Sequence, residues 1–123
     1  MYCTYVMGLY YKGKFKGIKV GKTERGVENR RKQILNYYLK DVLCYDEVII
    51  LSMQESSSPH LMYAAEALLH QVADNIDNLY QYKADYFPIN NFKGKLTSEE
   101  INEIKKIFCE EHKRIIKLLE NNF

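Results

Sequence analysis

The chain has 123 residues, 46% hydrophobic and 28% charged, with a formal net charge of +2. That length suits one domain with a real core and excludes two. The composition is that of a globular protein, and no apolar run approaches the ~20 residues that a membrane span requires, so no membrane partner is expected.

The charge is distributed unevenly. Residues 1–40 carry ten Lys/Arg against Glu24 and Glu28, a net +8, whereas residues 41–123 carry eight against fourteen Asp/Glu, a net −6. A basic first third beside an acidic remainder suggests one face for a polyanion, most simply a nucleic acid. Cys3, Cys44 and Cys109 are odd in number and widely spaced, with no CxxC pair. That speaks against a disulfide framework or structural zinc, and predicts buried free thiols and an intracellular setting, cytoplasm or nucleus. The large share of Lys, Ile, Asn and Tyr fits AT-rich coding, as in a phage, a large DNA virus or an AT-rich bacterium.

Tyr2 to Tyr11 is rich in aromatics and predicts a strand. Lys12-Gly13-Lys14-Phe15-Lys16-Gly17 supplies a hairpin turn, and Ile18 to Val20 is the return strand, ending at Gly21. Val27 to about Leu39 predicts a helix with Val27, Ile34 and Tyr38 on one side and Arg30 and Arg31 near its start. Glu47 to Met53 predicts a buried strand. Ser58 and Pro59 suit the cap and first position of a helix whose stripe is Leu61, Ala65, Leu68, Val72 and Ile76. Asp77 to Lys95 is polar and irregular, with Tyr86-Phe87-Pro88 as an anchor.

Thr97 and Glu100 have capping-box spacing at the start of a last helix, with Ile101, Ile104, Phe108, Ile115 and Leu118 facing the core. The order β-β-α-β-α-α predicts a small α+β fold: an antiparallel sheet of about three strands flanked by helices. Residues 1–95 form the main domain, and residues 96–123 add a C-terminal helix packed on it. That helix is also a candidate surface for a second copy of the chain, since its charges are mixed in sign and unsuited to DNA.

Gly17-Ile18-Lys19-Val20-Gly21-Lys22-Thr23 looks like a phosphate-binding P-loop but is not one. Three residues separate the glycines where Walker A needs four, and a strand occupies the place of the loop.

Gly8-Leu9-Tyr10, Lys19-Val20-Gly21 followed by Lys22-Thr23, Val27-Glu28-Asn29-Arg30 and Glu66-Ala67-Leu68-Leu69-His70 occur in that order. Together with Asp85-Tyr86-Phe87 this set resembles the GIY-YIG nuclease superfamily over residues 1 to about 87. It is most similar to a branch of phages and large DNA viruses with Lys-Ile-Gly as second motif and a Glu-x-x-Leu-His helix.

The resemblance implies a DNA endonuclease using one Mg²⁺ or Mn²⁺ held by Glu66. Tyr5 or Tyr10, Lys19, Arg30 and Arg31 would be the other catalytic groups. Tyr5 competes with Tyr10 for the first-motif tyrosine, because the gap from Tyr10 to the second motif is short. Lys19 stands where most catalytic members have Tyr, which leaves open a module of the same fold that binds nucleic acid or protein without cutting. The residue types suit phosphodiester hydrolysis: a carboxylate for a hard cation, an arginine fork for phosphoryl charge, and a Tyr or Lys as base. Lys12, Lys14, Lys16 and Lys22 are expected to bind phosphates. His70, one turn after Glu66 on the same face, is expected to meet the substrate or support the glutamate.

Overall fold

A computed structural model describes residues 2–39, 45–74, 81–82 and 96–122, without the side chains of 37–39, 82, 107–108, 111–112, 115–116 and 118–122. Strands β1 (Tyr2–Tyr11) and β2 (Lys14–Thr23) are followed by α1 (Val27–Leu39), β3 (Glu47–Ser56), α2 (Pro59–Asp74), β4 (Gln81–Tyr82) and α3 (Ser98–Asn122). The sheet order is β3-β1-β2-β4. Three antiparallel strands make the sheet, and β4 adds a two-residue parallel pairing at Ile18 and Lys19. The molecule has the small α+β fold that the residue pattern predicts.

The β1–β2 turn is tighter than the glycine spacing suggested. Only Lys12 (φ 49°) and Gly13 (φ 79°) lie between the strands, both left-handed, as a two-residue hairpin requires. The carboxylate of Asp46 accepts the Lys12 N–H at 3.2 Å from each oxygen and ties the turn to the start of β3.

Strand periodicity distributes the core over both faces of β1. Cys3, Tyr5, Met7 and Leu9 meet Val27 and Ile34 of α1, while Val6, with Ile18 and Val20 of β2, meets Leu69 and Ala73 of α2. Strand β3 is an edge rather than a buried strand: Ile49 is 39% and Met53 50% exposed, and among the described residues β1 is its one strand neighbour. Helix α3 packs on α2 through Ile104 against Leu61 and Ala64.

The helix starts follow their capping residues. Ser58 Oγ accepts the Leu61 N–H at 3.2 Å. Thr97 and Glu100 exchange backbone and side-chain bonds at 3.1 Å each, the reciprocal capping box. Glu100 also accepts the Ser58 hydroxyl at 2.7 Å, so the two helix starts are joined. Glu100 and Ile104 therefore share the face toward α2. Ile101, expected in the core-facing stripe, is turned aside and exposed. Ser58→Ala is expected to cost about 1 kcal/mol in urea unfolding, since it removes the α2 cap and a tie to α3. A loss within a few tenths would mean that neither bond matters.

Cys3 is buried as expected, but Cys109 lies on the exposed side of α3. Cys44, Ile76 and Tyr86-Phe87-Pro88 lie outside the described residues, and Tyr38, Phe108, Ile115 and Leu118 outside the described side chains. Among the described residues no helix is long and apolar enough to cross a membrane.

Candidate active site

The hairpin register sets Tyr5 opposite Gly21. A Cβ on Gly21 would stand 2.5 Å from Tyr5 Cζ, closer than real atoms approach. The bare glycine therefore lets the phenol ring lie across β2. From there Tyr5 Oη accepts a hydrogen bond from Arg30 Nε at 3.2 Å. Arg30 comes from the first turn of α1, and its Nη1 donates to Gln33 Oε1 at 3.2 Å. Burial pushes the Tyr5 hydroxyl above its usual range, and the arginine's hydrogen bond and charge oppose it less strongly. The phenol therefore keeps its proton at neutral pH.

Lys19 pairs with Met7 and so shares the Tyr5 face of the sheet. Its side chain is 1% exposed, within an apolar stretch between Ile18 and Val20. Burial, and then the positive charge of Arg30, push its ammonium down to about 8, with Glu66 acting against them. Glu66 projects from the middle of α2 and is 6% exposed. Burial raises its carboxyl above the usual range, opposed by Lys22 and then Lys19. A desolvated amine and a desolvated carboxylate thus partly compensate each other.

These groups gather where β2 runs past β4. The parallel pairing stops at Lys19, so Val20 to Thr23 has no strand on its outer flank among the described residues. A cleft of about 1180 Å³ opens there between α1 and the start of α2, lined by Lys22, Arg25, Asn29, Arg30, Lys32 and Tyr63 among others. Arg30 belongs both to this cleft and to the Tyr5 contact. Lys22 Nζ sits 4.5 Å from the centre of the Tyr63 ring.

Tyr5, Lys19, Lys22, Arg30 and Glu66 are thus brought together, but not every expected site residue joins them. Tyr10 stacks edge-on against Phe15, with ring centroids 5.5 Å apart, beyond a register irregularity after Leu9. It lies roughly 17 Å along the strand from Tyr5. Arg31 turns to the other side of α1, bonding Glu28 at 2.5 Å and the carbonyl of Val48 at 3.2 Å. Its role is to tie α1 to β3.

Lys12, Lys14 and Lys16 are exposed at the far end of the hairpin. Lys14 is roughly 26 Å along β2 from Lys22, so these lysines form a separate basic patch. His70 is completely buried and bonded through Nδ1 to Gln81 of β4, whose Nε2 donates to Asp74 at 2.8 Å. It fastens β4 to α2. Asp85-Tyr86-Phe87 lies outside the described residues.

Two features escaped sequence reading. One is the contact across Gly21, which only strand register reveals. The other is the amide series Asn29, Gln33 and Asn36 along the cleft, whose helical spacing of four and three is present in the sequence.

Among the described residues no group of three or more His, Cys, Asp or Glu gathers. No protein-family model, no curated protein and no solved structure matches this chain.

Proposed function

We propose that this chain is a metal-dependent endonuclease of GIY-YIG type that hydrolyses phosphodiester bonds in DNA. The observation that carries the proposal is the convergence of the buried Tyr5, Lys19 and Glu66 beside Arg30, which itself lines a basic cleft. A buried amine and a buried carboxylate are costly to a fold, and are retained where chemistry needs them. Tyr5 takes the place of the first-motif tyrosine, and Thr4-Tyr5-Val6, set against Val20-Gly21-Lys22, replaces Gly8-Leu9-Tyr10 as the paired motif.

Glu66 suits a hard cation of the Mg²⁺ or Mn²⁺ kind. Mg²⁺ keeps several waters and takes one or two carboxylates plus substrate phosphate, so a single glutamate, here the buried Glu66 of α2, can serve as its protein ligand. Bound there, the ion would supply Lewis-acid polarisation of the phosphoryl group. The other roles fall to the chain itself. Lys19, as neutral amine, takes the proton of the attacking water. Tyr5 donates its hydroxyl hydrogen to a phosphoryl oxygen. Arg30 neutralises charge as it develops there, and Lys22 anchors a neighbouring phosphate.

A second reading is a module of the same fold that holds nucleic acid without cutting. Lys19 and Lys22 favour it, because their charges already face the lone carboxylate that a divalent ion would need.

Nicking of supercoiled plasmid separates the two. The purified protein should nick with Mg²⁺ or Mn²⁺ and not with chelator. Glu66→Gln and Arg30→Ala should each lose at least about 100-fold, the typical loss on removing one group that stabilises developing charge. Salt-sensitive DNA binding with no nicking in either metal would establish the binding module instead.

A further inference from the structure

We infer that the exposed stripe of α1 reads base edges in the major groove of duplex DNA, with adenine the preferred base. This rests on the reading of the cleft as a DNA site. Asn29, Gln33 and Asn36 are all exposed and all line the cleft. Their spacing of four and then three puts them on one helix face. From the first to the last the helix rises roughly 10 Å, about three base-pair steps.

The amides keep both halves of their hydrogen-bonding capacity. Asn29 Nδ2 donates to the carbonyl of Arg25 at 3.3 Å, which leaves it a second hydrogen and its oxygen. Gln33 Oε1 accepts from Arg30, which leaves a lone pair and both amide hydrogens. An amide with one donor and one acceptor matches the N6 and N7 edge of adenine, and a helix fits the major groove.

The surroundings supply the charge that such an occupant requires. Arg25 and Lys32 are exposed at the same cleft, with Lys22 and Arg30 deeper in it. Among the described residues Glu24 is the one carboxylate that lines it, whereas Glu28 is held by Arg31. Cations flanking a row of amides separate the two tasks of recognition. The cations position the backbone, and the amides discriminate bases.

The test is binding, not cleavage, so that it stands apart from the nuclease reading. Glu66→Gln protein is titrated against two fluorescent duplexes of equal length, one rich in A·T pairs and one of G·C pairs only, at several salt concentrations. The A·T duplex should bind about tenfold tighter, the worth of one good amide–adenine pair. Adding Asn29→Ala, Gln33→Ala and Asn36→Ala should bring both duplexes to the same weaker affinity without changing the salt slope. Arg25→Ala with Lys32→Ala should instead weaken both duplexes alike and reduce the salt slope by about two.

Equal affinity of the Glu66→Gln protein for the two duplexes would overturn the inference while leaving a DNA-binding cleft in place. A preference that survives loss of all three amides would also overturn it. Absence of salt-dependent binding to either duplex would end both this inference and the nuclease proposal.

Discussion

Lys19→Met should make the protein more stable at pH 7 by about 2–3 kcal/mol and, on the proposed nuclease function, abolish plasmid nicking. Lys19 is 1% exposed, and its ammonium falls from an ordinary 10.5 to about 8. At roughly 1.4 kcal/mol per pH unit, holding that group charged in the folded state costs about 3 kcal/mol. Methionine has similar length and no charge to desolvate. Part of the gain is given back because Glu66 loses a neighbouring cation and becomes harder to ionise.

The sign follows from the direction of the shift. A lysine whose folded pKa is depressed stabilises the fold fully above its unfolded pKa and loses that stability as pH falls through its folded pKa. Wild type should therefore lag the variant most below pH 8, and the gap should close as pH rises from about 8 to 10.5. Urea unfolding of both proteins at pH 7 and pH 10 measures this directly. A variant no more stable than wild type at pH 7 would show that Lys19 is compensated in place and carries no stored cost.

Gly21→Ala should reach the site through geometry alone. The new methyl would meet the Tyr5 ring, with Cζ at 2.5 Å and Cε1 at 3.0 Å. The ring is buried, and its aromatic body has no flexible end to move aside. It must leave its place, and the hydrogen bond to Arg30 goes with it. Overpacking of this kind costs about 1–3 kcal/mol, and nicking should fall by at least about 100-fold. In a Tyr5→Ala background Gly21→Ala should cost little further stability and restore no activity, because the two side chains compete for one space. If Gly21→Ala alone unfolds at the wild-type urea concentration, the close approach of Tyr5 to β2 is not a feature of the protein in solution.

Much of the fold was legible because its signals are local. Val27 to Leu39 forms the helix expected of it, and Ser58, Pro59, Thr97 and Glu100 start their helices as their chemistry dictates. Local signals misled where tertiary position decides. Glu47 to Met53 carries a buried strand's residues but lies at an edge, and Ile101 is set aside by the contact that Glu100 makes with Ser58.

The site divides in the same way. Arg30, Lys19, Lys22 and Glu66 were identifiable as residue types in order along the chain. Their burial was not, since Glu66 falls outside the stripe of Leu61, Ala65, Leu68 and Val72 yet is 6% exposed. The choice between Tyr5 and Tyr10 depends on register. Both lie on β1, but only Tyr5 faces a glycine across the hairpin and can reach Arg30. Arg31 adjoins Arg30 in sequence, yet one step along a helix is a turn of 100°, and that carries it to Glu28 and β3.

The measurement that tests the central claim most directly is the pH dependence of single-turnover plasmid nicking, with matched reactions of Lys19→Met. If the Lys19 amine accepts the proton of the attacking water, the rate should rise with unit slope and level off at or below pH 8. Glu66 helps to hold that amine up, so neutralising Glu66 moves the plateau lower. Lys19→Met should nick at none of these pH values. A wild-type rate that climbs without a plateau through pH 10, or a Lys19→Met protein that nicks as wild type does, would contradict the assignment and return the role of base to another group.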